Sequence, residues 1–92
     1  MSLTIIRSDN LGAISTSLFF HSLYQLGVDS EVYLLEQNEC LTPKDIKVYC
    51  NSLWDSMLNV ESKSDYYSYS RQIIRILKSW ADSGFEIVIK GD

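Results

Sequence analysis

Hydrophobic and polar residues alternate along this chain in patterns that predict three strands and three helices. Short apolar, β-branched runs bounded by turn-forming residues predict strands at residues 3–7, 31–36 and 85–90. Apolar residues at helical spacing predict helices over about residues 11–26, 43–59 and 65–83. The resulting order, β-α-β-α-α-β, is typical of an α/β domain.

The ends of the predicted helices carry residue types that begin and end helices. Gly27 and Gly84 would end the first and third helices, because glycine adopts the left-handed conformation that closes a helix. Thr42 and Asp45 would form a capping box at the start of the second helix, with Pro43 in its first helical position. These positions set the expected helix boundaries.

The first predicted helix is long enough to cross over between two parallel strands in the usual right-handed sense. In the last strand, Phe85, Ile87 and Ile89 alternate with more polar residues, so one face of the sheet would be apolar and the other partly polar. We therefore predict a single α/β domain over residues 1–92, with a three-stranded parallel or mixed sheet and helices packed mainly on one face. The direction of the last strand stays open.

The second and third helices each have one apolar stripe. In the second helix the stripe contains Ile46, Tyr49, Cys50, Leu53, Met57 and Val60. In the third helix it contains Tyr66, Tyr69, Ile73, Ile76, Leu77 and Trp80. The opposite side of the third helix carries Arg71, Arg75 and Lys78, with Tyr67 and Ile74 on the flank. This basic row predicts either a solvated ridge or a contact with an acidic patch or an RNA backbone in a target assembly.

The first predicted helix has no charged residue between Asn10 and Val28. One side, toward the sheet, would carry Leu11, Ile14, Leu18, Leu23 and Leu26. A second apolar face would carry Ala13, Ser17, Phe20 and Tyr24. A helix facing solvent rarely lacks charge, so this face is either covered by another helix or used in an intermolecular contact.

The formal net charge of −4 is unevenly distributed along the chain. No Lys or Arg lies between Arg7 and Lys44, whereas several acidic residues do. We predict an acidic surface made by Asp29, Glu31, Glu36 and Glu39. Because nucleic-acid phosphates would repel such a surface, direct nucleic-acid binding is not expected there, and the expected partner is a protein with a basic surface.

The sequence carries no recognisable set of catalytic or metal-binding residues. It lacks the nucleophile, phosphate-loop and dinucleotide motifs of common enzyme families, and His21 is its only histidine. Cys40 and Cys50 cannot form a zinc site without further ligands, and Cys50 lies on an apolar stripe as a buried free thiol. We therefore expect no enzymatic activity, no cofactor and no metal, in a reducing compartment such as the cytoplasm. No signal peptide or membrane span is predicted.

One turn offers a possible ligand site. Between Arg7 and Ser17 the first strand would end and the first helix begin, with Asp9 or Asn10 as the N-cap. Open α/β sheets bind ligands at such junctions, because backbone N–H groups at the helix start point outward. Residues 5–35 also resemble the opening βαβ unit of GT-B-type glycosyltransferases, which we interpret as shared geometry because the chain is too short for a two-domain transferase.

Two segments resemble barstar-type nuclease inhibitors. NSLWDSML, residues 51–58, is similar to a helix motif of that family, and residues 73–92 are similar to its closing helix-glycine-strand. The matching positions are Asn51, Leu53, Trp54, Asp55, Leu58 and the run from Gly84 to Ile89. The general build also resembles small phage-encoded anti-CRISPR and anti-restriction proteins, and such a protein would act in the host cytoplasm.

Charge and resemblance together predict a small acidic protein that inhibits or escorts a basic, nucleic-acid-handling protein or complex. The candidate partner-binding residues are Asp29, Glu31, Glu36, Glu39, Phe20, Tyr24, Tyr67, Arg71, Arg75 and Lys78. Two alternatives remain open. The chain could be a small-molecule-binding module that uses the Arg7–Ser17 turn, or a structural homo-oligomer assembled through its first helix.

Overall fold

A computed structural model describes residues 3–60 and 63–91 of the chain. The strands in these ranges are β1 (Leu3–Arg7), β2 (Ala13–Ser15), β3 (Cys40–Leu41) and β4 (Ile87–Gly91). The helices are α1 (Thr16–Gln25), α2 (Ser30–Tyr33), α3 (Pro43–Met57) and α4 (Asp65–Asp82). Together they form an α/β domain, as predicted.

The sheet is four-stranded and antiparallel within the described residues, with the strand order β2-β1-β4-β3. The prediction of a three-stranded parallel or mixed sheet is therefore wrong. β4, whose direction the sequence left open, lies beside β1 and runs antiparallel to it. Ile5 stands opposite both Ile14 of β2 and Ile89 of β4, so these three side chains share one face.

The first difference from the predicted elements lies in residues 8–15. They form a hairpin turn and β2, whereas the sequence predicted a turn and the start of the first helix. The turn is closed by two backbone bonds, from Arg7 N–H to Gly12 C=O at 2.9 Å and from Asn10 N–H to Arg7 C=O at 2.8 Å. Asn10 has a positive φ of 62°, a conformation that asparagine tolerates, and the Asp9 carboxylate accepts the Leu11 N–H. Asp and Asn suit both turns and helix caps, and here they make the turn.

The second difference lies in residues 31–36, which do not form a strand. Asp29 caps the short helix α2 by accepting the Glu31 N–H at 3.0 Å. After α2 the chain is extended at Leu34, and the strand that joins the sheet is β3, which pairs with β4. A local cap has therefore outweighed the β-propensity of the sequence EVYLLE.

The second and third predicted helices are confirmed as α3 and α4. At the start of α3, Thr42 and Asp45 make the expected capping box. After α4, Gly84 has a φ of 84°, the left-handed conformation expected where a helix ends. The α4 stripe is shifted, however, because Ile74 is buried and Tyr66 is 39% exposed.

The core lies between the helices and one face of the sheet. Fully or nearly buried sheet residues on this face are Ile5, Ile14, Ile87 and Ile89. On the opposite face, Ile6 and Val88 are half-buried and Lys90 is exposed. The helices therefore pack on one face, as the alternation of β4 predicted.

The buried side of α1 differs from the predicted one. Leu11 and Leu18, expected in the core, are 80% and 53% exposed. Leu23 is fully buried, as predicted, but Phe19, which was not assigned to that side, is fully buried as well. Because α1 begins at Thr16, Leu11 and Ile14 are not part of it, and its core-facing stripe contains Phe19 rather than Leu18.

Candidate functional site

An open groove of about 760 Å³ lies between α2, β3 and α3. We call it the acidic groove and define it by five of its lining residues, Glu31, Leu34, Glu39, Asp45 and Val48. Among the described residues, no Lys or Arg lines it. The groove thus combines three carboxylates with an apolar surface, a combination that suits a ligand both basic and apolar.

The apolar part of the acidic groove includes two side chains that are exposed to solvent. Leu34 is 63% exposed and Val48 is 59% exposed, although both are large aliphatic side chains. Beneath them, Val32 is half-buried and Leu35 and Leu41 are buried. Neighbouring exposed aliphatic side chains in a concave, charged setting are typical of contact surfaces, whereas single ones are ordinary.

Tyr49 fixes the two walls of the groove relative to each other. Its hydroxyl, on α3, donates to the backbone C=O of Tyr33 at the end of α2, at 2.8 Å. Burial raises the pKa of the Tyr49 phenol well above its ordinary value, so this donor stays protonated. A part-buried hydrogen bond therefore joins the two helices that form the walls of the groove.

The acidic groove gathers two of the four acidic residues predicted for the binding surface. Glu31 is exposed in the first turn of α2, and the Glu39 carboxylate accepts the Glu36 N–H at 3.2 Å. Asp29 and Glu36 are exposed nearby but do not line the groove. The sequence analysis missed Asp45, Leu34 and Val48, since predicting a strand at 31–36 hid the apposition of α2 and α3.

The basic row of α4 lies on the other side of α3. Arg75 and Lys78 are exposed, whereas Arg71 is half-buried with its guanidinium 5.7 Å from the centre of the Trp54 ring. Tyr67 is half-buried at the edge of the core. The predicted row is therefore present, with Trp54 as an additional neighbour that sequence spacing within one helix could not indicate.

The second apolar face predicted for the first helix does not form as one continuous surface. Ala13 belongs to β2, and Phe20 packs against Tyr33 of α2 with ring centres 5.3 Å apart. Tyr24 is 69% exposed. The cover for Phe20 is thus α2, an element that the sequence analysis did not predict, whereas Ala13, Ser17 and Tyr24 are exposed.

The Arg7–Ser17 segment does not form the predicted strand-to-helix junction. Arg7 Nε pairs with the Asp9 carboxylate at 2.8 Å, and the resulting hydrogen bond lowers the pKa of Asp9. The same guanidinium lies 4.4 Å from the centre of the Phe85 ring. These contacts tie the hairpin to the domain, and the helix start that the ligand-site alternative required is separated from the turn by β2.

The two cysteines differ in their exposure to solvent. Cys40 is exposed and Cys50 is buried, both as free thiols, and burial raises the pKa of Cys50 to about 11. Within residues 3–60 and 63–91, no group of three or more His, Cys, Asp or Glu side chains is placed to hold a metal ion. In the same ranges, no helix is long and apolar enough to span a membrane.

Comparison of the chain with protein-family models, with curated proteins and with solved structures gives no match. The resemblance of residues 51–58 and 73–92 to barstar-type inhibitors stays a prediction.

Proposed function

We propose that this chain is a non-enzymatic binding protein that holds a basic, amphipathic segment of a partner protein in the acidic groove. The observation that carries the proposal is the pair of exposed aliphatic side chains, Leu34 and Val48, beside the carboxylates of Glu31, Glu39 and Asp45. Aliphatic contacts in the centre and charges at the rim are the usual division of an interface.

Each part of the groove has a distinct role in this proposal. Burying Leu34 and Val48 under an apolar partner side chain provides affinity, at about 25 cal/mol for each Å² removed from water. The carboxylates provide orientation and speed, because opposite charges steer the approach of a basic partner. Glu39 and Asp45 are both held by backbone N–H groups, which limits the entropy that they lose on binding.

The proposed partners are basic proteins that handle nucleic acid, such as nucleases or defence complexes, which the chain would inhibit or escort. Their positive clefts complement an acidic surface in charge. The barstar-like segments support inhibition as the mode of action. Two free cysteines in the described residues are consistent with a reducing compartment such as the cytoplasm.

Val48→Glu is expected to weaken binding of the purified partner at least tenfold. The substitution replaces an aliphatic contact with a charged carboxylate, which would have to lose its water under the apolar side chain of the partner. Isothermal titration calorimetry against the partner provides the measurement, after affinity capture has identified that partner. The matched control is Leu58→Glu, since Leu58 is 69% exposed and does not line the groove. Equal losses in the two variants, or a partner without a basic surface, would contradict the proposal.

Glu31→Lys is expected to slow association several-fold and to flatten its dependence on salt, with a smaller effect on dissociation. The reason is that exposed rim charges act mainly on the rate of encounter. Stopped-flow binding at two or more salt concentrations measures both effects. Asp82→Lys is the control, because Asp82 is an exposed carboxylate on α4 that does not line the groove, and this substitution changes the net charge by the same amount. An identical response of both variants would show that only overall charge matters.

A further inference from the structure

The row formed by Arg71, Arg75 and Lys78 has no charge partner among the described residues. No ion pair there involves any of the three, whereas the nearby Lys47 pairs with Asp82 at 3.3 Å. Positions four and three residues apart are neighbours on a helix surface, so these like charges repel each other. Asp82, four residues after Lys78 on the same helix, pairs with Lys47 instead, so none of the three cations has an ion pair among the described residues.

The Arg71 side chain makes a contact with an aromatic ring but leaves one buried nitrogen without a hydrogen bond. Its guanidinium stacks on Trp54, and its buried Nε has no hydrogen-bond partner in the described residues. A buried N–H without a partner is unfavourable, whereas a cation within about 6 Å of an indole ring is attracted to it. The contact places a cation and an indole ring side by side, where α4 meets α3.

Two depressions adjoin this row. One, of about 620 Å³, runs along α4 and is lined by Tyr67, Gln72 and Arg75, among others. The other, of about 240 Å³, lies between α3 and α4 and is lined by Asn51, Trp54, Arg75 and Lys78, among others. Arg75 belongs to both, so they form one continuous surface. No Asp or Glu among the described residues lines either depression.

We propose that this surface binds single-stranded nucleic acid. We call it the basic face and define it by Trp54, Tyr67, Arg71, Arg75 and Lys78. Cations that follow the phosphate backbone, with aromatic rings on which bases stack, are the shared features of sites that bind single strands without sequence preference. An acidic peptide would use the cations equally well, but it would leave the half-exposed rings of Trp54 and Tyr67 without a matching group.

The net charge of −4 does not exclude this binding. The acidic groove and the basic face use different residues of α3, and salt at physiological concentration screens exposed charges over a length of about 8 Å. The expectation that phosphates avoid the acidic half of the chain therefore still holds for the groove. The basic face is a second site, and its proposal does not rest on the groove having a protein partner.

The test is fluorescence anisotropy with a fluorescein-labelled oligothymidylate of 12 nucleotides. We expect weak, saturable binding at 20 mM salt, and a slope of about −2 in a plot of log affinity against log salt, from three cations at about −0.7 each. Arg75→Ala and Lys78→Ala should each reduce affinity several-fold and make the slope shallower by about 0.7. Lys90→Ala, on the outer face of the sheet, is the matched control and should leave both quantities unchanged.

Three results would overturn the proposal. Absence of binding at 20 mM salt would show that the row is a solvated ridge. An equal loss with Lys90→Ala would show diffuse attraction rather than a site. Stronger binding of a labelled polyglutamate peptide of 12 residues would make the face a contact for acidic protein. Unchanged melting temperatures of the variants, expected because Arg75 and Lys78 are exposed, would exclude unfolding as the cause of a loss.

Discussion

Phe19→Ala is expected to lower the free energy of unfolding by about 3–5 kcal/mol, the usual cost of removing a buried phenyl ring and leaving a cavity. Phe19 has no exposed surface and is among the largest fully buried side chains in the described residues. Its ring lies 5.9 Å from that of Phe20, within the cluster that joins α1 to the sheet and the other helices. Urea unfolding followed by circular dichroism measures the loss.

Two neighbouring substitutions serve as controls for the side of α1 that is buried. Leu18→Ala should cost little, because Leu18 is 53% exposed. Phe20→Ala should have an intermediate effect, since its ring is half-buried and packs on Tyr33. A larger loss for Leu18→Ala than for Phe19→Ala would restore the helix orientation predicted from the leucine spacing and contradict the structure.

The later half of the fold could be predicted because its signals are local. The Thr42–Asp45 capping box and the glycine at position 84 act within a few residues of the helix ends that they define. The apolar stripe of α3 follows from spacing alone, and Ile46, Cys50, Leu53 and Met57 are all buried. In these segments local propensity and tertiary packing favour the same structure.

The first half could not be predicted because a distant contact decides its structure. Residues 8–12 suit a helix cap or a hairpin turn equally well, and pairing of β1 with both β2 and β4 favours the hairpin. Gly12 is close to Trp80 of α4, whose ring a Cβ at this position would approach to 2.7 Å. Such an approach between residues so far apart in sequence has no counterpart in the local pattern.

The candidate site was predictable in its charges but not in its shape. The absence of Lys and Arg between Arg7 and Lys44 indicated an acidic surface, and Glu31 and Glu39 do line the groove. Its apolar part depends on the packing of α2 beside α3, which the hydrogen bond from the Tyr49 hydroxyl to the Tyr33 carbonyl supports. No local pattern in the sequence indicates this contact. Leu34 lies within the segment predicted as a strand, and Val48 lies outside the predicted apolar stripe of the second helix, so the sequence pattern indicates neither as a site residue.

Cys50 is expected to react with a thiol reagent only when the domain unfolds, and Phe19→Ala should therefore speed its labelling about a hundredfold to a few thousandfold. The thiol is 2% exposed, and burial raises its pKa to about 11, so both access and the reactive thiolate are suppressed in the folded state. The factor follows from a loss of 3–5 kcal/mol at about 1.4 kcal/mol for each tenfold change. Mass spectrometry of samples labelled in mild alkali gives the rate at each cysteine.

Cys40 provides the internal control for this measurement. It is exposed on the outer face of the sheet, so it should react quickly in the wild type and in the variant alike. Cys50 also lines the depression between α3 and α4, where its thiol lies 3.8 Å from the Ile74 carbonyl oxygen. If local opening of that depression exposed the thiol, Phe19→Ala would leave the labelling rate of Cys50 unchanged. That outcome would contradict the prediction and identify the α3–α4 contact beside the basic face as the mobile part of the domain.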